Sequence, residues 1–144
     1  MSRPLYQTSE SLARETEFAR ELSRLWGCRF EKLPIAYKVD FLMFRNDEPR
    51  AWCEVKCREY EMDQLEIMGG FMLSLAKWME GKRLYEMTSL PFIVALQLPD
   101  GIWYHKPTDF KYDDLKIGGR KDRGDWQDVE PVILLQRDRF TRVR

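Results

Sequence analysis

Residues 50–58, RAWCEVKCR, alternate strictly: Trp52, Glu54, Lys56 and Arg58 share one face of an extended chain, and Ala51, Cys53, Val55 and Cys57 share the other. A segment patterned this way reads as a strand with one apolar face. Directly upstream, YKVDFLMF has the aromatic and β-branched content of a half-buried strand, and NDEP supplies a turn at Asn46 to Pro49. The two strands therefore form a hairpin.

The remaining elements follow from periodicity. Leu12, Phe18, Ala19, Leu22, Leu25 and Trp26 gather on one face of a helix from about Ser9 to Trp26, capped by Thr8 or Ser9 and ended by Gly27. CRFEKLP is a short strand closed by Pro34. Residues 61–88 read as helical with an interruption at Gly69 and Gly70, which sets the start of the main helix near Phe71. PFIVALQL is a near-continuous apolar run, as in a strand covered on both faces, and LPDGIWYHKP is a turn into another strand. A polar stretch, KYDDLKIGGRKDRGDWQDVEP, precedes a last strand, PVILLQ, and a basic tail, RDRFTRVR.

The order is helix, three strands, helix, further strands, which predicts one α/β domain over residues 1–144. A composition 44% hydrophobic and 13% aromatic supports a sizeable core and excludes a disordered chain or a coiled coil. Charge balances at 24 Lys plus Arg against 24 Asp plus Glu, so a uniformly basic nucleic-acid coat is excluded while a locally basic cleft is not. The start lacks a secretory h-region. Cys28, Cys53 and Cys57 have no metal-pair spacing and read as reduced thiols of a cytoplasmic protein without a membrane segment.

The hairpin carries the chemistry. Lys38, Asp40, Leu42 and Phe44 share one face of its first strand, and a register opposing this face to that of Glu54 and Lys56 puts Asp40 beside both. Two adjacent carboxylates repel and are costly to bury unless a cation lies between them. Hard oxygen ligands suit Mg²⁺ or Mn²⁺, not zinc. Lys56 is placed to stabilise charge or to orient a water and help remove its proton. Glu15 falls inside the apolar stripe of the first helix, whereas Glu10, Glu17 and Glu21 fall outside it. Packing that stripe on the sheet carries Glu15 toward the pair.

Asp40, then Glu54-Val55-Lys56 on a hairpin preceded by a Glu-bearing helix, resembles the PD-(D/E)XK nuclease superfamily. Within it, the chain looks most like small stand-alone enzymes of phages and archaea, including Holliday-junction resolvase-like proteins. The resemblance implies a restriction-endonuclease-like αβββαβ core with a mixed central sheet flanked by helices. It implies that Asp40 and Glu54 ligate Mg²⁺ or Mn²⁺, that Lys56 assists the attacking water, and that Glu15 completes the site, with the Val55 carbonyl as a further ligand. Val39 stands where the motif has proline, and Glu17 is an alternative to Glu15.

The activity expected is a metal-dependent endonuclease acting on nucleic acid, DNA above all, in the cytoplasm of the host if phage-encoded, and a homodimer is compatible with it. The alternative is a catalytically degenerate module that binds nucleic acid or a protein partner. Substitution of Asp40, Glu54 or Lys56 is expected to relieve crowded charge. Lys77 either reaches the scissile phosphate or the substrate backbone, or is a solvated helix lysine. Arg120, Lys121 and Arg123, in a Gly-bounded loop, and the tail arginines Arg137 to Arg144 are candidate phosphate contacts. Gln64 reads as a surface residue, His105 as an exposed loop residue, and Tyr37 and Tyr60 as packing residues.

Overall fold

The computed structural model describes residues 9–119 and 129–144. Helix α1 (Ser9–Trp26) leads to β1 (Arg29–Lys32), a 3-10 turn (Ile35–Tyr37), β2 (Phe41–Arg45) and β3 (Glu48–Cys57). Next come α2 (Met62–Ile67), β4 (Phe71–Ser74), α3 (Leu75–Thr88), β5 (Phe92–Leu98) and β6 (Gly101–His105). The chain finishes with β7 (Asp114–Gly119), β8 (Val129–Leu135), a 3-10 turn (Arg137–Arg139) and β9 (Thr141–Arg142).

The central sheet has the order β1-β2-β3-β5-β6-β9. Every neighbouring pair is antiparallel except β3 with β5, so the sheet is mixed, with helices on its faces, as expected. The β2–β3 hairpin closes through Asn46 (φ 53) and Asp47 (φ 62), residues that accept the left-handed conformation a tight hairpin turn requires. Alternation along β3 sorts the core. Cys53 and Val55 join Phe41, Met43, Ala95 and Ile102 beneath Phe18, Ala19 and Leu22 of α1. On the other face, Phe92, Val94 and Leu96 of β5 meet Trp78 and Leu84 of α3. The α1 stripe is narrower than its periodicity suggests, since Leu12 and Leu25 remain exposed.

The main helix begins at Leu75, four residues later than expected, because Phe71–Ser74 pair with β8. Gly69 (φ 90) and Gly70 (φ 129) turn the chain there, and a Cβ on Gly70 would lie 2.9 Å from the Leu135 carbonyl oxygen. A second sheet, β4-β8-β7, results, with β7 formed from the stretch read only as polar. Phe71, Leu73, Ile133 and Leu135 carry it into the α3-side core.

Two further expectations are corrected. His105 is not on an exposed loop. It ends β6 half-buried, its ring stacked on Trp78 at 6.2 Å, and burial lowers its pKa, with Nε2 lacking a partner among the described residues. Tyr37 is not a packing residue but is 52% exposed, since its segment forms a 3-10 turn rather than strand. Tyr60 does pack on the core, and Gln64 is exposed.

Helix α3 lies so close to β5 that a Cβ on Gly81 would come within 2.5 Å of Phe92 Cγ. Phe92 is fully buried and has nowhere to retreat. Gly81→Ala should therefore destabilise the chain by about 2–3 kcal/mol through overpacking, despite alanine's better helix propensity. Urea denaturation would check this, and an unchanged or higher midpoint would contradict the close approach.

Candidate active site

The hairpin and α3 build the site. The β2–β3 register runs Leu42↔Trp52 and Phe41↔Cys53, and one further step sets Asp40 opposite Glu54. Asp40 is not within the strand, as YKVDFLMF suggested, but immediately before it. Lys38 takes a left-handed φ of 65, which turns the chain so that Val39 enters the core and Asp40 the pocket. The Asp40 carbonyl accepts from Leu33 N–H at 2.9 Å, and its side chain accepts from Val55 N–H at 3.0 Å. The aspartate is thus fixed at both ends by neighbouring strands.

Glu54 is fully buried. Its Oε2 is 2.9 Å from Lys56 Nζ and 2.5 Å from Lys77 Nζ, while its Oε1 is buried with no hydrogen-bond partner among the described residues. Lys77 comes from the first turn of α3, and the late start of that helix is what brings it here. Of the two readings of Lys77, the structure argues against the solvated lysine, since the side chain turns into the pocket to pair with Glu54. Lys32 stands at the rim, 3.7 Å from Asp40 Oδ1 with 41% of its side chain exposed.

Electrostatics separate the three carboxylates. Burial, reinforced by the Glu54 charge, pushes the Asp40 pKa up. Half-buried Glu15 is also raised, by burial first and then by Asp40, and Lys56, Glu54 and Lys77 act on it as well. Burial alone would raise Glu54, but Lys56 and Lys77 outweigh it and hold that carboxyl below the usual range. Lys56 is kept above its ordinary pKa by Glu54 and Asp40 against the cost of burial. Crowded like charge therefore describes Asp40 and not Glu54 or Lys56, which corrects the expectation that all three substitutions relieve repulsion.

Glu15 interacts with all four of these groups, although α1 covers the opposite face of the sheet. The β2–β3 ladder ends at Phe41–Cys53, and beyond it charges from both faces meet. Glu17 is exposed. Among the described residues no group of three His, Cys, Asp or Glu is gathered closely enough to hold a metal ion. A cation would find Asp40 and Glu54 as its nearest carboxylates, and the orphaned Oε1 is a hard oxygen acceptor of the kind Mg²⁺ or Mn²⁺ takes. The residues present fit such an ion.

Arg120, Lys121 and Arg123 lie outside the described residues. The tail arginines do not form a free basic patch. Arg137 pairs with Asp63 and Glu66, Arg139 with Asp113, and Arg144 with Glu21, while Arg142 donates to the Asp100 carbonyl. Sequence reading missed Lys32. The signal was available in the short strand CRFEKLP, because pairing it with the hairpin sets Lys32 across from Phe41, next to Asp40. Cys28 and Cys53 are buried free thiols, and burial raises the half-buried Cys57 to about 11, so none is poised as a nucleophile.

No curated protein matches the chain. Among solved structures, it is similar to Hjc of Archaeoglobus fulgidus, a Holliday junction resolvase from an archaeal hyperthermophile, at 20% identity and a TM-score of 0.46, covering 63% of this chain and 75% of that one. The family model described as "Phage putative PDDEXK endonuclease" matches residues 1–143. The chain belongs to that PD-(D/E)XK endonuclease family.

Proposed function

We propose that the chain is a divalent-metal-dependent endonuclease that hydrolyses phosphodiester bonds of DNA. The observation that carries this reading is Glu54, a fully buried carboxylate with one oxygen held by two lysines, the other unpartnered, and Asp40 beside it. Asp40, Glu54 and the Val55 carbonyl would hold Mg²⁺ or Mn²⁺. When bound, the ion supplies neutralisation of charge at the scissile phosphate and a lowered pKa for the attacking water.

The chain's own groups do the rest. Lys56 stays protonated through neutral pH, so it acts as a charged donor that orients the attacking water and stabilises charge on the phosphate, not as a base. Lys77 holds Glu54 ionised and ready as a ligand. Glu15 adds negative potential that favours a cation in the pocket. Arg120, Lys121 and Arg123 remain the proposed phosphate contacts, while the tail arginines Arg137, Arg139 and Arg144 are paired within the chain. Among the described residues no helix is long and apolar enough to cross a membrane. The proposed place of action, from the phage family, is the host cytoplasm.

Manganese titration followed by electron paramagnetic resonance tests the site. The wild-type chain should bind Mn²⁺, and Asp40→Asn should bind it at least about tenfold more weakly. Equal binding by the two proteins would overturn the assignment and favour a module that holds nucleic acid or a protein without cleaving it.

A further inference from the structure

Three ammonium groups, Lys32, Lys56 and Lys77, stand against three carboxylates, Glu15, Asp40 and Glu54, so the pocket neutralises itself. They are not equally committed. Lys56 and Lys77 contact Glu54 at 2.9 and 2.5 Å, with side chains 18% and 27% exposed. Lys32 contacts Asp40 at only 3.7 Å, is 41% exposed, and sits on the edge strand β1. Its Nζ also lies 5.4 Å from the Phe41 ring centroid, a contact that does not depend on the carboxylate.

Resting on the nuclease reading, we infer that Lys32 is a displaceable counter-ion that couples cation binding at Asp40 to phosphate binding at the rim. A divalent cation at Asp40 repels the nearby ammonium, and of the three lysines Lys32 has the weakest contact and the freest path to solvent. Released from the carboxylate, it faces outward at the mouth of the pocket, where a phosphate of the DNA backbone is its natural partner. Before the cation arrives, Lys32 is spent on Asp40 and adds little to DNA affinity. Lys32 is thus a positioning residue that makes DNA binding dependent on a loaded site.

Two measurements on the full chain test this, and neither requires cleavage. In Mn²⁺ titration, Lys32→Met should bind the ion about fivefold more tightly than wild type, because a competing cation worth about 1 kcal/mol has gone. In anisotropy measurements with a labelled duplex oligonucleotide over a KCl series, adding Ca²⁺ in place of EDTA should steepen the log-log salt dependence of wild type by about 0.9, one phosphate contact. Lys32→Met and Lys32→Gln should show no such increment. An equal increment in the variants, or unchanged Mn²⁺ affinity, would overturn the inference while leaving the nuclease reading intact. Failure of the wild-type chain to bind Mn²⁺ would instead overturn the nuclease reading on which it rests.

Discussion

Asp40→Asn and Glu54→Gln are each expected to reduce cleavage by a factor of about 10³ or more, yet to move stability in opposite directions. Asp40 has its pKa raised by burial and by Glu54, so its folded form binds a proton more tightly than its unfolded form. At neutral pH its charge is therefore a cost, which disappears as pH falls through its raised pKa toward the unfolded value. Asparagine removes the charge and keeps an acceptor for Val55 N–H. In EDTA, the variant should melt about 3 °C higher, the shift that about 1 kcal/mol gives in a chain of this size.

Glu54 is the reverse case. Its pKa is lowered by two lysines despite burial, so it contributes stability that is present above the unfolded pKa and lost on acidification through the folded one. Removing a buried partner from an ion pair costs about 3–5 kcal/mol. The lower figure applies here, because Lys77, 27% exposed, can swing toward solvent. Adding Lys77→Met to Glu54→Gln should restore part of the loss, whereas additive losses would show that the pair is not coupled. A stabilised Glu54→Gln would contradict the arrangement outright.

The hairpin and its acidic pair were legible because strict alternation and a tight turn leave one register, and that register decides which side chains meet. Glu15 was legible for a similar reason, as a charge inside an apolar stripe. The start of α3 was not. Nothing local in FMLS says strand, and its pairing is dictated by β8, some sixty residues away, with Gly70 allowing the close approach. The two readings of Lys77 stayed open for the same reason, since the helix start decides what its first turn faces. The tail showed a basic excess, but its arginines find Asp63, Glu66, Asp113 and Glu21 only after folding. Composition counts charge and cannot show where it is spent.

The second large effect is expected at Lys56. Lys56→Met should lower kcat by about 10²–10⁴ with little change in KM, because the ammonium acts on the developing charge rather than on the bound ground state. Lys77→Met should be milder, about tenfold, since Lys77 acts through Glu54, and Lys77→Arg should recover most of it. In Mn²⁺ titration, affinity should begin to fall on the acid side at a pH above that of an ordinary carboxylate, because Asp40 and Glu15 are both raised in the metal-free pocket and a proton on Asp40 competes with the ion. An acid limb at an ordinary carboxylate pKa would count against this, as would a Lys56→Met variant that retains most of its rate.

Supercoiled plasmid is the most direct probe of DNA cleavage by this pocket. Wild type and Asp40→Asn, purified identically, should be incubated with plasmid in Mg²⁺, in Mn²⁺ and in EDTA, and nicked and linear products quantified. Wild type should nick with either ion and not in EDTA, and Asp40→Asn should show at most about a thousandth of the wild-type rate. Equal nicking by the two proteins, or nicking by wild type that persists in EDTA, would contradict cleavage by this pocket.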